Sequence, residues 1–400
     1  MNRLTTESLR GLPTSALLAA LVSSACATNA PSPGPSPEAT PATAPATART
    51  LRDAYAGRFL VGAALNEAQY TEQDARGAAL VKAQFNTITS ENILKWENVH
   101  PRLGQYDFSS ADRFVAFGER NGMFMVGHTL LWHQQTPRWV FQDATGNRVS
   151  RDTLLARLRD HIHTVVGRYK GRIKGWDVVN EAVDEDGSLR RTPWLEIIGP
   201  DYIEKAFQWA HEADPAAELY YNDYSVENAP KRNGVVRLVR DLQAKGIRIT
   251  GVGLQGHNRI EWPSVAQQDS TIAAFGDLGM KVMITELDID VLPQVTRGPT
   301  ADVSARAEAQ ARLDPYTAGL PDSVQQVLAK RYGELFGVYM KHRNTISRVT
   351  FWGVADGDSW LNNWPVRGRT SYPLLFDRAG LPKPAFDAVI RAVTQPAFVP

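Results

Sequence analysis

Two glutamates, Glu181 and Glu286, stand 105 positions apart in the 400-residue chain, each at the end of an apolar run. Trp176-Asp177-Val178-Val179-Asn180-Glu181 follows Ile173 and reads as a buried strand that delivers Asn180 and Glu181 at its C-terminal end. Val282-Met283-Ile284-Thr285-Glu286-Leu287-Asp288 repeats the arrangement. Two carboxyls facing each other across one site can cleave a glycosidic bond. A separation of roughly 5–5.5 Å selects direct attack by one carboxylate, and a wider gap leaves room for a water. Taken alone, a strand-end glutamate is as readily a salt-bridge or capping residue, so the elements around the pair must supply the context.

Eight apolar segments read as strands: Phe59–Leu65, Phe85–Thr89, Phe124–Thr129, Ile173–Asn180, Glu218–Asn222, Ile249–Gln255, Lys281–Glu286 and Val349–Val354. Between them, apolar residues at three- and four-residue spacing predict helices, among them Arg151–Tyr169, Asp201–Ala213, Gly234–Lys245, Val265–Leu278 and Ser323–Lys341. Eight alternating units from Leu51 onward predict an α/β fold, a (β/α)8 TIM barrel forming a single catalytic domain over residues 51–400. A doubly wound open sheet is the alternative, but no glycine-rich nucleotide loop follows the first strand.

On the barrel reading, polar and aromatic residues gather where the strands end. The second strand runs into Glu91, Asn92, Lys95 and Trp96, and the third into His128, Trp132, His133 and Gln135. The fifth gives Asn222, Asp223 and Tyr224, the sixth Gln255 and His257, the seventh Glu286 and Asp288. The eighth gives Trp352, with Trp360 and Trp364 close behind. Packing alone would place polar groups at both ends of a barrel, whereas a catalytic rim is built at the C-terminal one. His128 and His133 have no further histidine or carboxylate nearby to complete a compact ligand set, so no metal site is expected. Asp184-Glu185-Asp186 reads as a solvated loop.

Six motifs in succession carry a resemblance. Glu91-Asn92-Ile93-Leu94-Lys95-Trp96, Gly127-His128-Thr129-Leu130-Leu131-Trp132-His133, Trp176 to Glu181, Tyr221-Asn222-Asp223-Tyr224, Thr285-Glu286-Leu287-Asp288 and Phe351-Trp352-Gly353-Val354 resemble those of family-10 glycoside hydrolases, the endo-1,4-β-xylanases. The resemblance covers about residues 55–395. It implies a retaining enzyme that cleaves internal β-1,4-xylosidic bonds by double displacement, with Glu181 as acid/base and Glu286 as nucleophile. It also implies that Asn180 holds the sugar 2-hydroxyl while His257 and Asp288 form a chain orienting Glu286. Glu91, Asn92, Lys95, His128, Gln135, Tyr224 and Gln255 would bind the sugar, and Trp132, Trp352 and Trp360 would offer apolar faces to its rings. The implied partner is xylan or a xylo-oligosaccharide; no cofactor, metal or protein partner follows from it.

The composition, 43% hydrophobic and 22% charged with a net charge of +1, is that of a soluble globular protein and gives no reason to expect a nucleic-acid partner. Residues 1–25 carry Arg3 and Arg10 ahead of an apolar Ala16–Val22 segment, too short to span a bilayer and shaped like an export signal. The sole cysteine, Cys26, follows Ser23-Ser24-Ala25, which resembles a bacterial lipoprotein box. On that reading Cys26 is lipidated, tethering the protein to a membrane as an outer-membrane or periplasmic lipoprotein; ordinary secretion after cleavage beside Cys26 is the alternative. Residues 26–50 read as a tether, with Ala, Pro, Ser or Thr at 20 of the 24 positions from Ala27 to Thr50. The long connection 292–321, with four prolines, is expected to wall the substrate cleft.

Overall fold

The hydrogen-bonded strands return the chain to its starting point. In chain order they are β1 (Leu60–Leu65), β2 (Thr87–Ser90), β3 (Phe124–Leu131), β4 (Gly175–Asn180), β5 (Glu218–Asp223), β6 (Gly251–Leu254), β7 (His257–Arg259), β8 (Lys281–Asp290) and β9 (Ile346–Phe351). Neighbouring strands pair in parallel from β1 to β6; β6 pairs with β8, β8 with β9, and β9 with β1. These eight strands form the closed (β/α)8 barrel, with β7 attached outside the ring to the tail of β8. The structure is a computed structural model that describes residues 50–293, 312–365 and 367–394.

Strands β2, β4 and β6 are buried along their whole length and the other strands of the ring at all but one position, as parallel strands covered by helices on one side and barrel filling on the other must be. The helix Arg151–Arg168 shows how the outer layer is specified. Ser150 caps it by accepting from the Thr153 N–H, and Leu154, Leu158, Ile162, Val165 and Val166 form its buried stripe. Helix Val265–Gly276 begins with a capping box between Ser264 and Gln267.

Three of the boundaries that differ from the sequence expectation have a clear physical cause. Helix Ala229–Ala244 starts five residues before Gly234, because Pro230 occupies its first turn, where a missing N–H costs no hydrogen bond. Strand β8 runs four residues past Glu286, its tail paired with β7 at His257↔Asp288 and Arg259↔Asp290. Strand β9 starts three residues earlier than expected and ends at Phe351, leaving Trp352 and Val354 in the rim loop. Gly234, inside the helix and not at its start, is required by a close approach. A Cβ there would lie 2.4 Å from the Gly187 carbonyl oxygen, so only glycine lets this helix close onto the loop following β4.

The expected leader 1–25, the lipidation site Cys26 and the tether 26–50, apart from Thr50, lie outside the described residues, as does 294–311 of the connection expected to wall the cleft. The two feet of that connection are described. Arg369 ties them together, donating from Nη2 to the Pro293 carbonyl at 3.1 Å and from Nε to the Leu313 carbonyl at 3.2 Å. Among the described residues no helix is long and apolar enough to cross a membrane.

Candidate active site

Glu181 is the first residue beyond β4 and has φ of +58°, the left-handed region that costs a non-glycine residue on the order of 1–3 kcal/mol. Its surroundings hold it there. The Glu181 N–H donates to the Asn222 carbonyl at 2.9 Å, and Arg190 Nε donates to the Glu181 carbonyl at 3.0 Å. The next two N–H groups, of Ala182 and Val183, both donate to the Tyr221 hydroxyl, at 3.1 and 3.0 Å. The carboxyl so placed accepts from Trp132 Nε1 at 2.8 Å and Gln255 Nε2 at 3.0 Å.

Glu286 sits within β8, and its carboxyl has different company. It accepts from Asn222 Nδ2 at 2.8 Å and from His257 Nε2 at 3.2 Å. The other imidazole nitrogen, Nδ1, donates to Asp288 at 3.0 Å, and Trp360 Nε1 donates to the same Asp288 oxygen at 2.8 Å. Burial works to lower the His257 pKa, but the charges and hydrogen bonds of Asp288 and Glu286 override it and push it up to about 10. The imidazole is thus cationic at neutral pH and can donate from both nitrogens. Burial opposes the ionisation of Glu286, yet the His257 hydrogen bond, the fields of His128 and His257 and the Asn222 hydrogen bond leave its pKa below the ordinary value.

Two amides connect the carboxyls. Gln255 Nε2 reaches Glu181 and, at 3.4 Å, Asn180 Oδ1; Asn222 Nδ2 reaches Glu286 and, at 2.9 Å, the same Asn180 oxygen. A displacement of either glutamate is therefore felt at Asn180.

A cleft of about 650 Å³ opens above this network. On its β2–β3 side Lys95 donates to Asn92 at 2.9 Å and Gln135 at 2.8 Å, with its ammonium 5.0 Å from the Trp132 ring centroid. Burial lowers the Lys95 pKa against the raising fields of Glu286, Glu91 and Glu181, while burial raises that of Glu91. His128 donates from Nδ1 to buried Asp177 at 2.9 Å and meets Trp352 edge-on, with ring centroids 5.4 Å apart. Opposite stands Tyr224, its hydroxyl bonded to Arg190 at 2.8 Å and its ring covering the Lys231 ammonium at 3.6 Å.

The residues expected from the sequence to bind substrate, Glu91, Asn92, Lys95, His128, Trp132, Gln135, Tyr224, Gln255, Trp352 and Trp360, all line this cleft, as do Asn180, Glu181, His257 and Glu286. Asp288 stands behind His257 instead. Trp96 is no part of the site: it is buried and stacked at 3.7 Å on His161 in the helical layer. Gln134 and Ser225 line the cleft without having been picked out from the sequence. Arg190 and Asp177 were also missed; each acts behind a residue that was found. Arg190 lies in a charged loop, and Asp177 reads as an interruption of an apolar strand, a signal that could have flagged it. Among the described residues no group of three or more His, Cys, Asp or Glu side chains is placed to hold a metal ion.

The arrangement offers one carboxylate fixed beside a cation, a second carboxyl bonded only by neutral donors, and a long groove mixing hydroxyl-binding groups with indoles. Comparison with known proteins agrees with that chemistry. The model of glycosyl hydrolase family 10 matches residues 50–392. Endo-1,4-beta-xylanase A of Xylanibacter ruminicola is 45% identical over 342 residues, covering 86% of this chain and 93% of its own. The beta-1,4-xylanase of Dictyoglomus thermophilum is 42% identical, covering 86% and 90%. Among solved structures, a family-10 endoxylanase retrieved from a sugarcane soil metagenome superposes with a TM-score of 0.81 at 46% identity, covering 86% of this chain and 99% of that one. A xylanase of Paenibacillus barcinonensis complexed with a conduramine derivative gives 0.76 at 40%, with the same coverage.

Proposed function

The chain belongs to glycosyl hydrolase family 10 and is a retaining, endo-acting β-1,4-xylanase; from that premise we propose that Glu286 is its nucleophile and Glu181 its acid/base. The observation that carries the assignment is the difference in hydrogen-bond partners. Glu286 is held ionised by a cationic His257 and an amide, as an attacking carboxylate requires. Glu181 accepts from an indole and two amides, none of which carries charge.

In the first step Glu286 attacks the anomeric carbon while Glu181 protonates the departing glycosidic oxygen, leaving a covalent glycosyl-enzyme. In the second Glu181, now a carboxylate, takes a proton from water as that water displaces Glu286. Asn180 holds the 2-hydroxyl, a bond that strengthens as the ring gains oxocarbenium character. Its side-chain oxygen is already occupied by Asn222 and Gln255, and its NH₂ donates to Glu181 at 3.4 Å, which leaves the second N–H to meet the sugar. Asp288 and His257 orient the nucleophile. Glu91, Asn92, Lys95, His128, Gln135, Tyr224 and Gln255 serve the sugar hydroxyls, and Trp132, Trp352 and Trp360 the apolar ring faces. The substrate is xylan or a xylo-oligosaccharide.

Azide separates the two roles. In Glu181→Ala it should intercept the covalent intermediate and give a β-glycosyl azide, with activated aryl xylosides still cleaved; in Glu286→Ala it should attack from the vacated face and give the α product. Product stereochemistry read by NMR in the opposite sense would exchange the assignments.

The reading extends to location: residues 1–25 serve as an export signal, Cys26 as a lipidated N-terminus and residues 26–50 as a spacer holding the catalytic domain off the membrane. The support is compositional, from the short apolar segment, the small residues before Cys26 and the proline-rich stretch after it. Cys26→Ala should then move the protein from the detergent phase to the aqueous phase; recovery of soluble wild-type protein beginning at Thr28 would favour ordinary secretion.

A further inference from the structure

The main chain of xylan carries no charge, and the cations near the cleft are mostly committed to partners of their own. Lys95 serves Asn92 and Gln135, Arg190 serves the Glu181 carbonyl and Tyr224, and Arg369 serves three backbone carbonyls and lies 3.8 Å from Asp290. Arg259 differs. It ends β7 two residues after His257, so strand alternation puts both side chains on one face. Its backbone is fixed on both sides: the N–H donates to the Trp262 carbonyl at 2.8 Å, and the carbonyl accepts from Arg331 Nε at 3.3 Å. Among the described residues no carboxylate stands within ion-pair distance of its guanidinium, and the side chain is exposed.

The position of this guanidinium is informative. Arg259 borders the catalytic cleft and also a second pocket of about 210 Å³ that opens beside it, shared with His257, Trp360 and Trp364. At about 30 Å³ per water, that space suits one branch sugar and not a polymer chain. Trp364 is 59% exposed, with its ring 6.3 Å from that of Trp360, and offers an apolar face to such a branch. The acids bordering the pocket are engaged: Asp288 by His257 and Trp360, Asp290 by the Leu292 N–H at 2.9 Å and by Arg369. A planar guanidinium with fixed backbone and open donors is suited to bidentate recognition of a carboxylate.

We propose that Arg259 is a specificity residue that binds the carboxylate of a uronic-acid branch on xylan, the adjoining pocket receiving the branch sugar. This rests on the xylanase reading and adds the class of decorated chain the enzyme prefers. A neutral pentose branch fits the same space without satisfying the cation.

The test compares kcat/KM for the wild type, Arg259→Gln and Arg259→Lys on three substrates. They are linear xylohexaose, a xylo-oligosaccharide bearing one glucuronic acid branch, and that oligosaccharide with its carboxyl reduced to the alcohol. Arg259→Gln should lose about 10- to 100-fold on the acidic substrate and stay within about twofold of wild type on the linear one. Arg259→Lys should fall between, and carboxyl reduction should bring the wild type down to the level of Arg259→Gln. Equal losses on all three substrates would make Arg259 a support of the β7 loop and overturn the proposal. So would wild-type activity of Arg259→Gln on the acidic substrate. Failure of the wild type on xylohexaose would instead sink the xylanase reading beneath it.

Discussion

Glu181 and Glu286 are the same residue on the same rim, yet the protein surrounds them with opposite kinds of partner. Around Glu286 the nearest donors are an imidazolium and an amide, and behind the imidazolium stands Asp288, itself held by Trp360. Around Glu181 the donors are neutral, and what is unusual is the backbone, turned left-handed and clamped by Arg190. One carboxylate is prepared by electrostatics and the other by conformation. That division suits a double displacement, in which the nucleophile should be charged on arrival while the acid/base must change its protonation twice.

The largest effect should come from the electrostatic side. His257→Ala should lower kcat on xylan by about 10²–10³-fold with KM little changed, because fixed charge acts chiefly as charge develops in the transition state. A fall of less than tenfold in steady-state kinetics would remove the contrast. A second effect should appear in stability against pH. A histidine whose pKa is raised on folding stabilises fully below its unfolded value near 6.5, and the contribution is lost as pH rises through about 10. Denaturant unfolding of the wild type should therefore lose on the order of 4 kcal/mol between pH 6.5 and 10 through this group, and His257→Gln should lack that loss. Glu286 has the opposite sign: its lowered pKa gives stability above the usual carboxylate range that is lost on acidification. The smallest effect belongs to the neutral side. Trp132→Phe removes the indole N–H from Glu181 and should cost about tenfold on xylan, the weight of one hydrogen bond. An aryl xyloside with an activated leaving group, which needs no proton, should be cleaved almost as before; equal losses on both would return Trp132 to a packing role.

The barrel was legible because parallel strands buried on both faces must be apolar runs, and because the polar residues at their ends interrupt those runs abruptly. Asn180, Glu181 and Glu286 announce themselves in this way. Strand β7 does not: His257-Asn258-Arg259 is short and polar, and only its pairing with the tail of β8 makes it a strand. For the same reason the extension of β8 to Asp290 could not be seen, since the alternation beyond Glu286 fits a loop equally well. Arg190 was hidden by its neighbours, a charged loop that reads as solvated, whereas its guanidinium turns inward to the Glu181 and Val183 carbonyls. The motifs mark the residues proposed to meet substrate. The groups that hold those residues in place are scattered and have no spacing to find.

Barrel closure also sets the order in which this protein can become itself. Leu60 pairs with Arg348 and Ala63 with Phe351, so the last bonds of the ring join residues 288 positions apart. Contacts of such long range are slow to form, because a large loop must be closed before any pairing rewards it. A chain emerging from its N-terminus has displayed both glutamates, Glu181 and Glu286, well before Ile346 appears. Until then β1 and β8 are open edges with unmet backbone groups, and any species that lingers there is prone to pair with another copy of itself. Premature termination between Glu286 and Ile346 would thus yield both glutamates without the ring that aligns them, a product for proteolysis and not a weak enzyme.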